Sequence, residues 1–293
     1  MKKLLAMAVT AAFTVSMLVG CGQSAETTDA SAQETTQETE TEAADEETAG
    51  TADAASEDTA ERTTFTVGFD AEFPPYGYMD ESGEYTGFDL ELAQEVCDRN
   101  GWELVKQPID WDSKDMELSS GAIDCIWNGF TMNGREDAYT FSVPYVDNSQ
   151  VFVVAADSGI TVFDDLAGKN VGVQKDSSAL AALEGDAADL AATFGNLTQY
   201  SDYNTAFMDL EQGAIDALAI DVGVADYQIA SRGEGFVKLS ENLASEQYGI
   251  GFKLGNVELK DQVEKTLLEM ADDGTFGKIA EKYGLSDSVC LGK

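Results

Sequence analysis

The tetrapeptide Gly-Ala-Ile-Asp occurs twice in this chain, at residues 121–124 and at residues 213–216. Each copy follows a segment typical of a helix end and precedes an apolar segment typical of a buried strand. The two copies lie about 92 residues apart, which is too long for a solenoid repeat and close to the length of a small domain. The repeat therefore predicts two lobes of similar construction.

The segments before each copy follow the same order of strands and helices. In the first lobe we predict a strand at 65–70, a helix at 90–97, a strand at 103–107, a short helix at 114–119 and a strand at 123–127. In the second lobe we predict strands at 170–174, 197–200 and 215–220, with helices at 178–183 and 203–212. Such alternation predicts parallel strands joined by helical crossovers in an α/β fold.

The residues after the second copy are too few for a core of their own. A strand is predicted at 247–252, followed by helices at 257–272 and 274–283. This tail is expected to pack back on the first lobe, so the chain crosses between lobes twice, near 148–155 and near 245–250.

The first twenty residues are typical of an export signal. Lys2 and Lys3 precede an apolar run that ends in Leu-Val-Gly-Cys at 18–21, which resembles a bacterial lipobox and predicts cleavage before Cys21 and lipidation of its thiol. An uncleaved membrane anchor is the alternative, because the run is nearly long enough to span a bilayer. Residues 21–62, rich in Thr, Ala, Ser, Glu and Asp, are expected to form a disordered acidic tether.

Composition excludes several classes of function. A formal net charge of −38 leaves no basic surface to displace counterions from phosphates, so nucleic acid is not expected as a partner. The absence of histidine excludes Ser-His and Cys-His nucleophilic sites, and neither a metal nor a cofactor is expected. Among Cys97, Cys125 and Cys290 we expect one disulfide and one buried thiol, with Cys97–Cys290 as the preferred pair.

Seven short motifs carry a resemblance to a known family. They are GFDAEFPPY at 68–76, TGFD at 86–89, NGFTMNGR at 128–135, FSVPY at 141–145, VGV at 171–173, QYGIGF at 247–252 and DGTF at 273–276. In this order, behind a lipobox, they resemble the bacterial extracellular solute-binding proteins for amino acids, which are subunits of ABC importers.

The resemblance implies a type II, Venus-flytrap fold, in which each lobe is a mixed, mostly parallel sheet flanked by helices. The expected organisation is a signal peptide at 1–20, a tether at 21–62, a first lobe at 63–150 and 248–293, and a second lobe at 151–247. It also implies a monomer, lipid-anchored on the outer face of the cell membrane, that captures a free amino acid and delivers it to an ABC permease.

The α-carboxylate of an amino acid suits a guanidinium, whose planar fork forms two parallel charge-assisted hydrogen bonds. The resemblance places this role on Arg135. A surface ion pair with Glu136 or Asp137 is the alternative.

The segment Asp176-Ser177-Ser178 follows a predicted strand and begins a helix, so its N–H groups and hydroxyls are suited to an anion. The resemblance adds Gln174 and Ser178 as ligand contacts. In the alternative interpretation, Ser177 or Ser178 only caps its own helix.

The α-ammonium suits a carboxylate at the carboxyl end of a parallel strand. Asp221 directly follows the predicted strand at 215–220 and matches the family's ammonium acceptor. By resemblance, the carbonyl of Gly129 and the side chain of Thr131 complete this part of the site from the other lobe.

Selectivity for the side chain is assigned by resemblance to Asp70, Phe73 and Trp111, with Asn128 beside them. The rings of Phe73 and Trp111 would enclose the ligand, and Asp70 would bind the polar end of the ligand's side chain. Asp70 favours a cationic or amide side chain, which leaves arginine, lysine, histidine and glutamine open. Trp127 fits the core as well as the site.

Closure of the second lobe onto ligand held by the first is the mechanism that the resemblance implies. The rival interpretation is a flytrap-fold dehydratase acting on a small carboxylic acid, with Asp70, Glu72 and Asp221 as acid and base. The predicted tether and the absence of histidine favour capture over catalysis.

Overall fold

A computed structural model describes residues 62–292 of the chain. The predicted signal peptide, lipobox and all but the last residue of the predicted tether lie outside the described residues. Within the described part, no helix is both long enough and apolar enough to cross a membrane.

The first lobe is built on a five-stranded sheet with the order β5-β1-β6-β14-β7, in which β14 (Gly251–Lys253) comes from the carboxyl-terminal part of the chain, beside a small three-stranded sheet, β2-β3-β4. Its strands before the first crossover are β1 (Thr64–Phe69), β2 (Glu72–Phe73), β3 (Gly77–Met79), β4 (Tyr85–Thr86), β5 (Glu103–Pro108), β6 (Cys125–Ile126) and β7 (Tyr139–Phe141). Its helices are α1 (Phe88–Asn100) and α2 (Lys114–Ser120), the latter directly after a 3-10 turn at Trp111–Ser113. Strand β1 pairs in parallel with β5 and β6, as helical crossovers require.

The second lobe is built on a six-stranded sheet with the order β10-β9-β11-β8-β12, and β13 also pairs with β8. The strands are β8 (Val146–Ala155), β9 (Asn170–Gln174), β10 (Asn196–Tyr200), β11 (Ala217–Asp221), β12 (Phe236–Lys238) and β13 (Ala244–Tyr248). The helices are α3 (Ser178–Glu184), α4 (Ala188–Ala191), α5 (Tyr203–Glu211) and α6 (Val222–Arg232), with a 3-10 turn at Phe163–Leu166. Strands β9, β10 and β11 are parallel, whereas β8 runs antiparallel to β11, β12 and β13.

The carboxyl-terminal part returns to the first lobe. Strand β14 (Gly251–Lys253) pairs antiparallel with β6 and β7, and the helices α7 (Val257–Asp272) and α8 (Thr275–Lys282) pack against α1. The apolar stripe Leu259, Val263, Leu267 and Met270 of α7 is buried in the same core as α1.

The two Gly-Ala-Ile-Asp copies occupy equivalent places. Gly121 and Gly213 both adopt the left-handed conformation, with φ of 81° and 71°, where each ends a helix. The aspartate of each copy then accepts a hydrogen bond from the backbone of a neighbouring parallel strand, which is β1 in the first lobe and β9 in the second. Asp124 accepts from the N–H of Thr66 at 2.7 Å, and Asp216 accepts from the N–H of Asn170 at 2.8 Å.

The isoleucines of the two copies are equivalent too. A Cβ built on Gly68 of β1 would lie 2.4 Å from Ile123, and one built on Gly172 of β9 would lie 2.6 Å from Ile215. Strands β1 and β9 therefore each have a glycine at the position where the isoleucine of the Gly-Ala-Ile-Asp copy packs against the strand backbone.

The strand boundaries at the crossovers differ in detail from the prediction. The chain leaves the first sheet after β7, and β8 begins in the second sheet at Val146, a few residues before the first crossover expected near 148–155. The strand predicted at 247–252 is two strands in different sheets, β13 and β14, separated by Gly249 and Ile250. The strand predicted at 123–127 is shorter than expected and consists only of β6, and the strand predicted at 215–220 begins at Ala217. In both lobes the residues of the Gly-Ala-Ile-Asp copy form a turn before the strand begins.

The predicted Cys97–Cys290 disulfide is wrong. Cys97 and Cys125 are fully buried free thiols in the core of the first lobe. Burial raises the pKa of Cys97 to about 12, so its reactive thiolate form is disfavoured. Trp127 is also core, with no exposed surface.

Candidate functional site

A cavity between the two lobes is lined by nine of the eleven predicted site residues. They are Phe73, Trp111, Gly129, Thr131 and Arg135 from the first lobe and Gln174, Ser177, Ser178 and Asp221 from the second. The cavity volume is about 10 Å³, because side chains of the two lobes contact each other directly across it. An amino acid can therefore enter only when the lobes separate.

The strand ends explain why these residues meet. Asp70 follows β1, Asn128 lies just after β6, and Gln174 and Asp221 are the last residues of β9 and β11. The carboxyl ends of parallel strands open at one edge of a sheet, where ligand sites of α/β folds lie. In this chain the two sheets present those edges to the same cleft.

Asp70 and Asn128 stand behind the cavity rather than on its wall. Asn128 accepts the N–H of Asp70 at 2.9 Å, and Asp70 accepts from Gln174 of the opposite lobe at 2.7 Å. Asp70 also lines an adjoining cavity of about 420 Å³ with Trp111. Burial raises the pKa of Asp70 to about 6, although the N–H of Glu72 and the amide of Gln174 act against this rise.

Arg135 has its guanidinium in the cleft. The guanidinium donates to the carbonyl of Thr131 at 3.1 Å and to the carbonyl of Asp176 in the second lobe at 3.4 Å. Its central carbon also lies 5.1 Å from the centroid of the Phe130 ring, a distance at which a cation and an aromatic ring attract each other. These partners are neutral, so the charge of Arg135 remains available to an anion.

The first turn of α3 separates the roles of its two serines. Ser177 accepts from the N–H of Leu180 at 3.1 Å and donates to the carbonyl of Gln174, so it caps the helix. Ser178 is engaged across the cleft instead. Its hydroxyl accepts from Thr131 at 3.2 Å and from Gln150 at 2.8 Å.

Asp221 is buried and surrounded by hydrogen-bond donors. It precedes α6, but its side chain makes no capping bond and is instead bound by Asn148, Gln150 and Tyr248 at 2.8, 2.6 and 2.6 Å. Burial, followed by repulsion from Glu246, raises the pKa of Asp221 to about 7.

Four polar residues of this group were missed in the sequence: Asn148, Gln150, Glu246 and Tyr248. They lie at alternate positions on the paired strands β8 and β13, where Glu246 is opposite Asn148. Side chains two residues apart share a face of a strand. The spacing was visible, but nothing in it distinguishes a site from the exposed face of an edge strand.

Lys114 is a further residue that sequence reasoning missed. It is the first residue of α2, is 1% exposed, lies 5.1 Å from the centroid of the Trp111 ring, and forms an ion pair with Asp176 of the second lobe. Another contact across the cleft joins Asn204 of α5 to Glu72 of β2.

The sequence profile of the bacterial extracellular solute-binding proteins, family 3, matches residues 65–286. The chain belongs to this family. It is 30% identical over 226 residues to the L-cystine-binding protein TcyJ of Escherichia coli strain K12, covering 76% of this chain and 83% of that protein.

Solved structures of binding proteins have the same fold. The substrate-binding protein of an ABC uptake transporter from Streptococcus pneumoniae, with bound histidine, aligns with a TM-score of 0.74 at 34% identity, covering 77% of this chain and 94% of its own. An ancestral arginine-binding protein bound to arginine aligns with a TM-score of 0.70 at 35% identity, covering 76% of this chain and 99% of its own.

These findings confirm the α/β class and the two-lobe fold. They also confirm that the chain is an extracellular solute-binding protein, as its family is described. The three relatives are binding proteins rather than enzymes, and the dehydratase alternative gains no better support from them.

Proposed function

We propose that this chain captures a free amino acid with a cationic or amide side chain and delivers it to an ABC permease. Arginine, lysine, histidine and glutamine are the favoured ligands. The observation that carries the proposal is that Arg135 and Asp221 line one cavity from opposite lobes. A zwitterion can be bound at both of its charged ends only when the lobes close on it.

The electrostatics of the cleft support a ligand that brings positive charge. Asp70, Asp221 and Glu246 are each less than 10% exposed, and all three carboxylates are bound by neutral donors. Buried carboxylates without a cation are costly, so a cationic ligand is favoured over an acidic one.

Two of the three relatives reported above support the same class of ligand, because one was solved with histidine and one with arginine. The third is named for cystine, which is therefore included in the test below. The nearby rings of Phe73 and Trp111, which line the cavity, suit the flat or aliphatic part of such a side chain.

Thermal unfolding of the purified protein tests the proposal. With each of the twenty amino acids and cystine added separately, we expect arginine, lysine, histidine or glutamine to raise Tm, and aspartate and glutamate to have no effect. A ligand at a hundred times its Kd stabilises by about 2.7 kcal/mol, which corresponds to roughly 5 to 10 °C here. Recovery of the ligand unchanged by mass spectrometry separates capture from turnover. Stabilisation by none of these compounds, or a chemically altered product, would contradict the proposal.

The membrane anchor is part of the same proposal. We infer that Cys21 carries a lipid that holds a monomer at the outer face of the cell membrane, beside the permease. Cys21→Ser is expected to move the protein from the membrane fraction to the medium. The proposal fails if the variant remains with the membrane.

A further inference from the structure

Two buried carboxylates of the cleft share their hydrogen-bond donors. The amide of Asn148 donates to Asp221 at 2.8 Å and to Glu246 at 2.7 Å. The amide of Gln150 donates to Asp221 at 2.6 Å and to Glu246 at 2.8 Å. The N–H bonds of both amides are therefore used, those of Gln150 being shared with Ser178 as well, and the two carboxylates are held as a pair, which we call the Asp221–Glu246 pair.

Glu246 also contacts residues of the cavity wall from both lobes. It accepts from the hydroxyl of Thr131 in the first lobe at 2.9 Å and from that of Ser178 in the second lobe at 3.3 Å. Thr131, Ser178 and Asp221 all line the cavity between the lobes. Glu246 thus lies immediately beside the site proposed for the α-ammonium.

The surroundings of the pair hold an excess of acceptors. Within residues 62–292, the amide oxygens of Asn148 and Gln150 have no hydrogen-bond partner, although these side chains are only 5% and 0% exposed. In the same part of the chain, no lysine or arginine forms an ion pair with either carboxylate. Unpaired buried acceptors are costly, and a group with several N–H bonds and a positive charge relieves the cost.

The other titratable groups near the pair cannot supply that charge. The hydroxyls of Tyr76, Tyr203 and Tyr248 are neutral, and burial raises the pKa of each well above its usual value. Asp70 adds a further acid beside Tyr203. The guanidinium of Arg135 binds the carbonyls of Thr131 and Asp176 rather than either carboxylate.

We propose that Glu246 is a second ammonium-binding residue, and that the Asp221–Glu246 pair holds one proton that leaves to the buffer when the ligand's α-ammonium binds between them. The inference rests on the proposed function, since it assumes an amino-acid ligand. The ammonium brings the positive charge that the proton supplied, so one proton is released for each ligand bound. Capture then weakens as the medium becomes acidic.

Calorimetry with L-arginine tests the proton release. The binding enthalpy is measured at pH 6 in phosphate and in bis-Tris, and at pH 8 in phosphate and in Tris, because buffers of different ionisation enthalpy reveal the number of protons released. We expect roughly one proton or more at pH 6 and close to none at pH 8, since the pKa of Asp221 is about 7 and that of Asp70 about 6. If the wild-type protein releases no proton when it binds L-arginine at pH 6, the inference is overturned, and no variant is needed for this conclusion.

The variant Glu246→Gln assigns the effect to this residue. It keeps the shape of the side chain and leaves Asp70 unchanged, so the difference from wild type reports on the pair alone. We expect the protons released at pH 6 to fall by about half or more, and Kd to rise about 10- to 100-fold, the usual range for loss of a hydrogen bond to a charged group. Glu258→Gln, at an exposed position of α7, is the matched control. A proton count and a Kd equal to wild type would overturn the inference.

A measurement without ligand separates this inference from the proposed function. Removal of the charge at residue 246 relieves repulsion that grows as Asp221 ionises. The Tm of Glu246→Gln relative to wild type is therefore expected to rise between pH 5 and pH 8. A difference that does not change with pH overturns the inference, even if arginine binds. If the difference rises but no amino acid binds, the carboxylate pair stands and the proposed function and the ammonium role of Glu246 both fail.

Discussion

Lys114 of the first lobe forms an ion pair with Asp176 of the second lobe across the cleft. The lysine side chain is 1% exposed and the aspartate side chain 54% exposed, so the pair is half in solvent. Burial lowers the pKa of Lys114 and the contact with Asp176 acts against this change. Because its members belong to different lobes, the pair exists only while the lobes are closed.

Loss of this ion pair is expected to weaken ligand binding through the closed state. Lys114→Met should raise Kd about three- to tenfold, and Asp176→Asn should raise it further, because it leaves a buried ammonium without its partner. Calorimetry measures Kd, and small-angle scattering measures the more open shape. Lys278→Met, at an exposed position of α8, is the control. Wild-type affinity in both variants would show that the pair has no part in closure.

Gly223 tests how closely the lobes must approach. A Cβ at this position in α6 would lie 2.5 Å from the hydroxyl oxygen of Tyr76 in the first lobe. Gly223→Ala should therefore obstruct closure and raise Kd at least tenfold, while α6 itself gains about 0.5–1 kcal/mol of helix stability. Gly277→Ala in α8, where a Cβ meets nothing within 4 Å, is the matched control. Equal affinity of both variants and wild type would contradict the close approach.

Arg135 is expected to bind the ligand's carboxylate. Arg135→Ala should raise Kd roughly 100-fold, because two charge-assisted hydrogen bonds are lost, and Arg135→Lys should recover only part of the affinity, since an ammonium lacks the planar fork. Arg99→Ala removes ion pairs with Glu95 and Asp273, none of which lines the cavity, and should leave Kd unchanged. Tight binding by Arg135→Ala in calorimetry would disprove the assignment.

Asp89 makes the stability of the unliganded protein depend on pH. It accepts the N–H of Gly129 at 2.6 Å, and burial raises its pKa to about 7 from 3.8. The folded state therefore binds this proton more tightly than the unfolded state, so the stability from Asp89 is complete below pH 4 and is lost as pH rises towards 7. The free energy of unfolding should fall by up to about 1.4 kcal/mol per pH unit for this group.

Chemical denaturation at pH 5 and pH 8 measures this dependence. Asp89→Asn should reduce the loss of stability between the two pH values, because the variant has no proton to lose at this position. Asp98→Asn, at an exposed position of the same helix, should leave the loss unchanged. An identical loss in wild type and Asp89→Asn would show that Asp89 does not titrate in this range.

Periodicity in the sequence was sufficient to predict several of the regular elements, although β8, β12 and α6 were not among them. The helix predicted at 257–272 is α7, residue for residue, because its apolar stripe faces one core along its whole length. The repeat at Gly121 and Gly213 likewise identified two equivalent helix ends. These features depend on residues near one another in the chain, which is why they could be predicted.

Features that depend on contacts between distant segments could not be predicted. Glu246 and Asn148 are 98 residues apart and meet only because β8 and β13 pair at the crossovers. The sequence 247–252 is apolar enough for one strand, and only the geometry of the two sheets divides it. From the sequence, Lys114 is similarly expected to be an exposed residue of a short helix. In the structure its side chain is 1% exposed and forms an ion pair with Asp176 of the second lobe.

The position of Tyr248 has a mechanical consequence. Tyr248 is the last residue of β13 before the chain returns to the first lobe, and its hydroxyl binds Asp221 at 2.6 Å. A lobe that turns about this point moves its atoms in proportion to their distance from it. The part of the cleft around Asp221 is therefore expected to move little when the lobes separate. Residues of the cleft that lie farther from this point separate by a larger distance for the same rotation.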